Sequence, residues 1–164
     1  MENGELYGLN PKVIVILAGI NNVGTIPGGD VKVENITRGL KALVSACQQK
    51  APNATLILTA LFPRNDNLAV MPTINRINDN LAQMADGKRV RYLNVNDKLA
   101  DKDGKLFEGI SKDKLHPSLK GYQIWADGLK HGTAHCRCEV RSGLKRKNCS
   151  PGGWLLLTGL ADLN

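Results

Sequence analysis

The sequence lacks any stretch of eighteen apolar residues, which excludes a helix crossing a bilayer. Its start, Met-Glu-Asn-Gly-Glu, has neither the basic flank nor the apolar run of a secretory signal, so the chain as written carries no export signal and its compartment stays open. Cysteine is scarce. Four in 164 residues are too few for a disulfide scaffold; Cys47 stands alone, and Cys136, Cys138 and Cys149 crowd the end. No internal repeat or low-complexity tract is visible. What remains, 42% hydrophobic and 23% charged, is the composition of an ordinary globular chain with a sizeable core.

The net charge of +7 would point to nucleic acid only if the basic residues shared one face or arm. Residues 131–164 carry five of the 22 Lys and Arg and two of the 15 acids, and the rest of the excess is spread thin. No nucleic-acid partner is expected. After Lys130 the text loses both helical and strand period, so residues 1–130 read as the folded domain and 131–164 as a basic, cysteine-containing, disordered tail. His131, His135, Cys136, Cys138 and Cys149 are zinc-ligand types. Cys-x-Cys followed ten residues later by one cysteine is not a standard ligand pairing, and neither a metal nor a cofactor is expected. The run Arg137 to Lys147 has the charge to touch phosphates but no aromatic platform beside it, and Trp154 to Leu157 is too short an apolar patch to span a bilayer.

Within residues 1–130, short apolar runs alternate with longer periodic segments, the pattern of a parallel α/β protein. Val13 to Leu17 is a continuous β-branched run, so both its faces must be covered by helices. Val33, Ile36, Leu40, Leu43, Val44 and Cys47 fall at three- and four-residue spacings, a helix over 31–49 with one buried stripe. Thr55 to Thr59 is a second buried strand, Ile74, Ile77, Leu81 and Met84 mark a second helix, and Val90 to Val95 is a third strand. Residues 98–112 read as a surface segment turning at Asp103-Gly104, and Leu119 to Leu129 as the last helix, with Ser118 as its cap.

In open parallel sheets, ligands bind beyond the carboxyl ends of the strands. Gly19-Ile20-Asn21-Asn22 follows the first strand, and side-chain amides there have the donors an oxyanion needs. Asparagines in such a turn also bond their own backbone, without any substrate. Before the last helix comes Asp113-Lys114-Leu115-His116-Pro117. A carboxylate three residues before a histidine can hold one imidazole N–H and leave the other nitrogen as a base. The same residues also suit a helix start, and Asp-x-x-His by itself is a weak motif.

Together and in order, the segment from Asn10-Pro11-Lys12 through the strand to Gly19-Ile20-Asn21-Asn22, and Asp113-Lys-Leu-His116-Pro117 continuing to Gly121-Tyr122, resemble two sequence blocks of the SGNH, or GDSL-type, hydrolases. Leu61-Phe62-Pro63-Arg64 and the asparagines Asn75, Asn78 and Asn80 are similar to the platelet-activating-factor acetylhydrolase-like esterases of that superfamily. The resemblance covers about residues 5–130. It implies a three-layer αβα flavodoxin-like parallel sheet and hydrolysis of short acyl esters of lipids or sugars. It further implies His116 as general base, Asp113 as its orienting acid, Asn21 as an oxyanion donor, and Gly19 and Asn22 beside the substrate. Asn22 stands where many members have Asp.

The serine of the family's Gly-Asp-Ser block is missing. Ser45, Ser111, Ser118, Ser142 and Ser150 are the five serines, and none follows a strand in that context. The resemblance therefore implies an N-terminally truncated fragment without its first strands and without a nucleophile, of little or no turnover. It also implies that the Val13 strand is left as a bare apolar edge through which copies associate. The reading from another class is a non-catalytic α/β module that binds a polar ligand or partner, its basic tail attracting anions.

Overall fold

The computed structural model describes residues 6, 8–133 and 154–159; for 131–133 and 154–159 only the backbone is described. Its frame is a parallel sheet of β1 (Val13–Ala18), β2 (Thr55–Thr59), β3 (Val90–Leu93) and β4 (Trp154–Gly159), in the order β3-β2-β1-β4. The helices are α1 (Ile20–Val23), α2 (Asp30–Lys50), α3 (Met71–Gln83), α4 (Asn96–Leu99) and α5 (Leu119–Thr133), with a 3-10 turn at Leu68–Val70.

Strand alternation explains the layers. Ile14 and Ile16 of β1 and Leu56 and Leu58 of β2 point to one face, where they pack with Val33, Ile36, Leu40 and Cys47 of α2 and with Ile74, Ile77 and Leu81 of α3. Val13, Val15 and Ile57 point to the other, against Leu99 of α4 and Trp125 of α5. Each fully buried aliphatic side chain of this kind contributes roughly 1.5–3 kcal/mol through its removal from water. A strand apolar on both sides is thus stable only between two helical layers, as its sequence requires.

The same alternation fixes the topology. Stepping from β1 to β2 to β3, the chain crosses through α2 and α3 on one face; returning to the far side of β1, it crosses through α5 on the opposite face. Right-handed crossovers in two opposite directions demand opposite faces. The reversal makes the carboxyl end of β1, between β2 and β4, the switch point of the sheet, the place where such sheets generally bind ligands.

Several expectations are corrected. β1 is not a bare edge: β4 lies parallel beside it, with Val13 in register with Trp154 and Ala18 with Gly159. Residues 131–133 complete α5 and 154–159 form a strand, so the tail is not disordered throughout. The remaining positions of that tail, including His135, the three clustered cysteines and the basic run, lie outside the described residues. Residues 98–112 are not purely surface, because Leu99 and Ile110 are buried in the second core. β3 stops at Leu93, where the Asn94 side chain accepts the Asn96 N–H and turns the chain into α4.

Candidate active site at the carboxyl edge of the sheet

Gly19 ends β1 with φ 109°, a conformation an L side chain adopts only under strain, and leads straight into the single turn of α1. It is buried, and a Cβ there would meet Ile36, Leu40 and Leu61. Asn21 is exposed on that turn, and its side chain takes no hydrogen-bond partner among the described residues. Asn22, next to it, is half-buried.

Asp113 and His116 meet directly: Nδ1 of the ring lies 2.6 Å from Oδ2 of the carboxylate. The other oxygen, Oδ1, accepts the peptide N–H groups of Leu115 at 3.0 Å and His116 at 2.8 Å, and the hydroxyl of Ser111 at 3.1 Å. The imidazole bond, and after it these backbone donors, hold the Asp113 carboxyl well below the usual carboxylate range. An ionised carboxylate only accepts, so the proton between the two groups sits on Nδ1 and the lone pair on Nε2. The side chains remain 74% and 56% exposed, which leaves that lone pair open to a reactant. Gathering two N–H groups onto one oxygen bends the backbone, and Lys114 takes φ 68°, the one positive value at a non-glycine among the described residues.

Ser118 caps α5, its Oγ accepting the Gly121 N–H and donating to the Gly109 carbonyl. Gly121 lets the helix approach the histidine loop, since a Cβ there would lie 3.0 Å from the Ile110 carbonyl oxygen and from Pro117. Neither Ser111 nor Ser118 is arranged as a nucleophile: the first donates to the acid rather than to the base, and the second is committed to a carbonyl. Ser45 belongs to α2, and Ser142 and Ser150 lie outside the described residues.

The structure thus joins Asp113 to His116 and leaves Asn21 and Asn22 on a separate turn. The segment after β2 joins the two places, a role the sequence did not disclose. Arg64, 4% exposed, is paired with Asp66 and donates Nη1 to the Ile20 carbonyl at 3.4 Å, while the next peptide N–H, of Asn65, donates to the Lys114 carbonyl at 2.7 Å. The signals were its position directly after a buried strand and the family resemblance of Leu61-Phe62-Pro63-Arg64, and neither gives the partners of Arg64 and Asn65. Asn78 secures that strand end, its amide accepting the Leu61 N–H at 2.7 Å and donating to the Leu61 carbonyl at 3.0 Å. A cleft of about 670 Å³ lies at the same edge, between Pro63, Met71, Asn75, Asn96 and Phe107.

A doubly wound parallel sheet with an Asp–His pair and an amide-bearing turn in the loops beyond its strands defines a three-layer α/β protein. The chain belongs to the GDSL-like lipase/acylhydrolase family, whose model matches residues 2–124. It is 31% identical over 124 residues, 74% of its own length, to platelet-activating factor acetylhydrolase IB subunit alpha1 of Homo sapiens, and 32% identical over 108 residues to the subunit beta homolog of Drosophila melanogaster. It covers 51% and 45% of those two proteins, so the chain spans about half the length of the curated relatives it matches. A solved GDSL-like lipase from Bacteroides thetaiotaomicron shares the fold, with a TM-score of 0.59 at 18% identity, over 77% of this chain and 64% of that one. The platelet-activating-factor acetylhydrolase-like subgroup anticipated from the motifs is therefore the right one.

Proposed function

We propose that residues 1–130 supply the base, its orienting acid and an oxyanion donor of an esterase that cleaves short acyl esters of lipids or sugars. Nε2 of His116 takes the proton from the attacking hydroxyl and later returns one to the leaving alcohol, while Asp113 keeps the ring in the required tautomer and stabilises the imidazolium. The Asn21 amide donates to the oxygen that becomes negative as the carbonyl turns tetrahedral, a contact of greatest value in the transition state. Gly19 and Asn22 shape that turn beside the substrate.

The observation that carries this reading is the 2.6 Å contact between the exposed ring of His116 and a carboxylate held ionised. The acyl-accepting serine is not among the groups found in this chain, so its own turnover is expected to be negligible. Two measurements test the proposal. A fluorophosphonate probe should leave residues 1–164 unlabelled, and labelling would overturn the account of the serines. In an extended chain bearing a Gly-Asp-Ser block, His116→Ala should reduce hydrolysis of a short-chain nitrophenyl ester by at least about a thousandfold, as loss of a general base does; unchanged hydrolysis would remove His116 from the mechanism.

A further inference from the structure

We propose that Asn65 is a positioning residue for the Asp113–His116 pair, gripping the segment that carries the pair at two separate points. The inference rests on the esterase reading for its consequence, but not for its geometry.

The first grip is the Asn65 side chain. Its Nδ2 donates to the Gly104 carbonyl at 2.7 Å and its Oδ1 accepts the Leu106 N–H at 2.7 Å, so one amide closes on the Asp101–Leu106 turn as a neighbouring strand would. The second grip is its peptide N–H on the Lys114 carbonyl, also 2.7 Å. Between these points the chain is rooted in the core by Ile110, 2% exposed, and closed on itself by the bridge between Ser111 and Pro117. Asn65 ties this otherwise self-contained loop back to the end of β2.

The second grip falls on the strained residue. A left-handed lysine is strained, and persists where its surroundings offset that strain. Here the offset comes from Asp113 Oδ1, which needs the bend in order to collect the Leu115 and His116 N–H groups, and from Asn65, which takes the carbonyl the bend turns outward. If the amide grip at 104–106 is lost, the residue-65 peptide N–H on the Lys114 carbonyl is left as the one grip, and it no longer holds the histidine loop against the segment after β2 at two points. Lys114 then relaxes to an ordinary φ, the two N–H groups leave Oδ1, and the contact between Nδ1 and Oδ2 loses its alignment.

The test uses the full chain and three NMR readouts. In the unmodified protein the N–H groups of Asn65 and Leu106 should exchange with solvent at least tenfold more slowly than in an unstructured peptide; free exchange at both would overturn the proposal without any variant. In Asn65→Ala the side-chain carboxyl of Asp113 should titrate at higher pH and the Leu115 and His116 amides should lose at least tenfold protection, with α2 and α3 amides unchanged. A folded Asn65→Ala with the Asp113 titration unmoved overturns it. Asn65→Asp keeps the acceptor for Leu106 but sets an oxygen against the Gly104 carbonyl, so it should fall between the two; should Asn65→Ala fail to fold, Asn65→Asp matching the parent in both readouts overturns the proposal, and an intermediate shift supports it. None of these signals depends on turnover, so an absence of ester hydrolysis in the extended chain would remove the esterase reading and leave the Asn65 result standing.

Discussion

The Asp113–His116 contact is a short-range object, four residues long, and its acid is unusual for a group so exposed. The imidazole bond comes first among the causes that lower its pKa, ahead of the two peptide donors. His116→Ala should therefore raise the Asp113 titration toward the ordinary carboxylate value while leaving it somewhat depressed by the Leu115 and residue-116 N–H groups. The sign for stability follows from linkage: a depressed carboxylate favours the folded loop above its unfolded pKa, and that contribution disappears as pH falls through the folded value. The parent loop should thus keep its Leu115 amide protected to more acidic pH than the variant does. Coincident acid profiles for the two proteins, followed by ¹³C and amide NMR, would contradict this. The acid, the histidine and their spacing were legible in the text; that Ser111 faces the acid and not the base was not, because a hydroxyl's partner depends on the path of the loop.

Elements are set by period, and here the text was informative. The stripes over Val33–Cys47 and Ile74–Leu81 and the β-branched run of β1 correspond to α2, α3 and β1 because burial on one or both faces leaves a local pattern. What holds the ends of elements is less visible. At the exit of β2 the ladder stops, and the buried Asn78 amide takes both polar groups of the Leu61 peptide. Asn78→Ala leaves the Leu61 N–H buried without a partner, while the carbonyl keeps its 2.9 Å bond from Asn96. The expected loss is about 1–3 kcal/mol in urea unfolding, the cost of one unsatisfied buried donor. Asn78→Asp, which sets an oxygen against the Leu61 carbonyl, should cost more. A loss below that of a typical surface substitution in both variants would show that this amide clamp is not needed. A buried asparagine reads in sequence as a polar interruption of a helix stripe, since its peptide partner lies 17 positions away.

At the level of the whole molecule, the sheet is completed from a distance. β4 lies in register with six consecutive residues of β1, although nearly the entire chain separates them. A proline within a strand removes a ladder hydrogen bond, so Leu156→Pro in the full chain should detach β4 and increase amide exchange in β1. The uncovered β1 edge is then open to a second copy, and sedimentation should show larger species. Unaltered β1 exchange in that variant would show that β4 does not protect the strand. Association through the edge, expected from the sequence as a standing property, is in this arrangement expected on loss of β4.

The sequence by itself determined the segments of β1, β2, α2, α3 and α5, that the sheet is parallel and covered on both faces, and which residues offer a carboxylate, an imidazole and side-chain amides. All of these follow from local periodicity or from residue type within a few positions. The tertiary structure alone decided that the edge beside β1 is filled by Trp154–Gly159, that Gly19 turns toward α2, and that Arg64 and Asn65 connect the amide turn to the histidine loop. The side-chain bonds of Arg64 and Asn65 join residues separated by 39, 41 and 44 positions. They form where packing of the two layers brings backbone carbonyls of one loop within reach of another, and a carbonyl is common to every residue, so no pattern of side chains announces which one will be used.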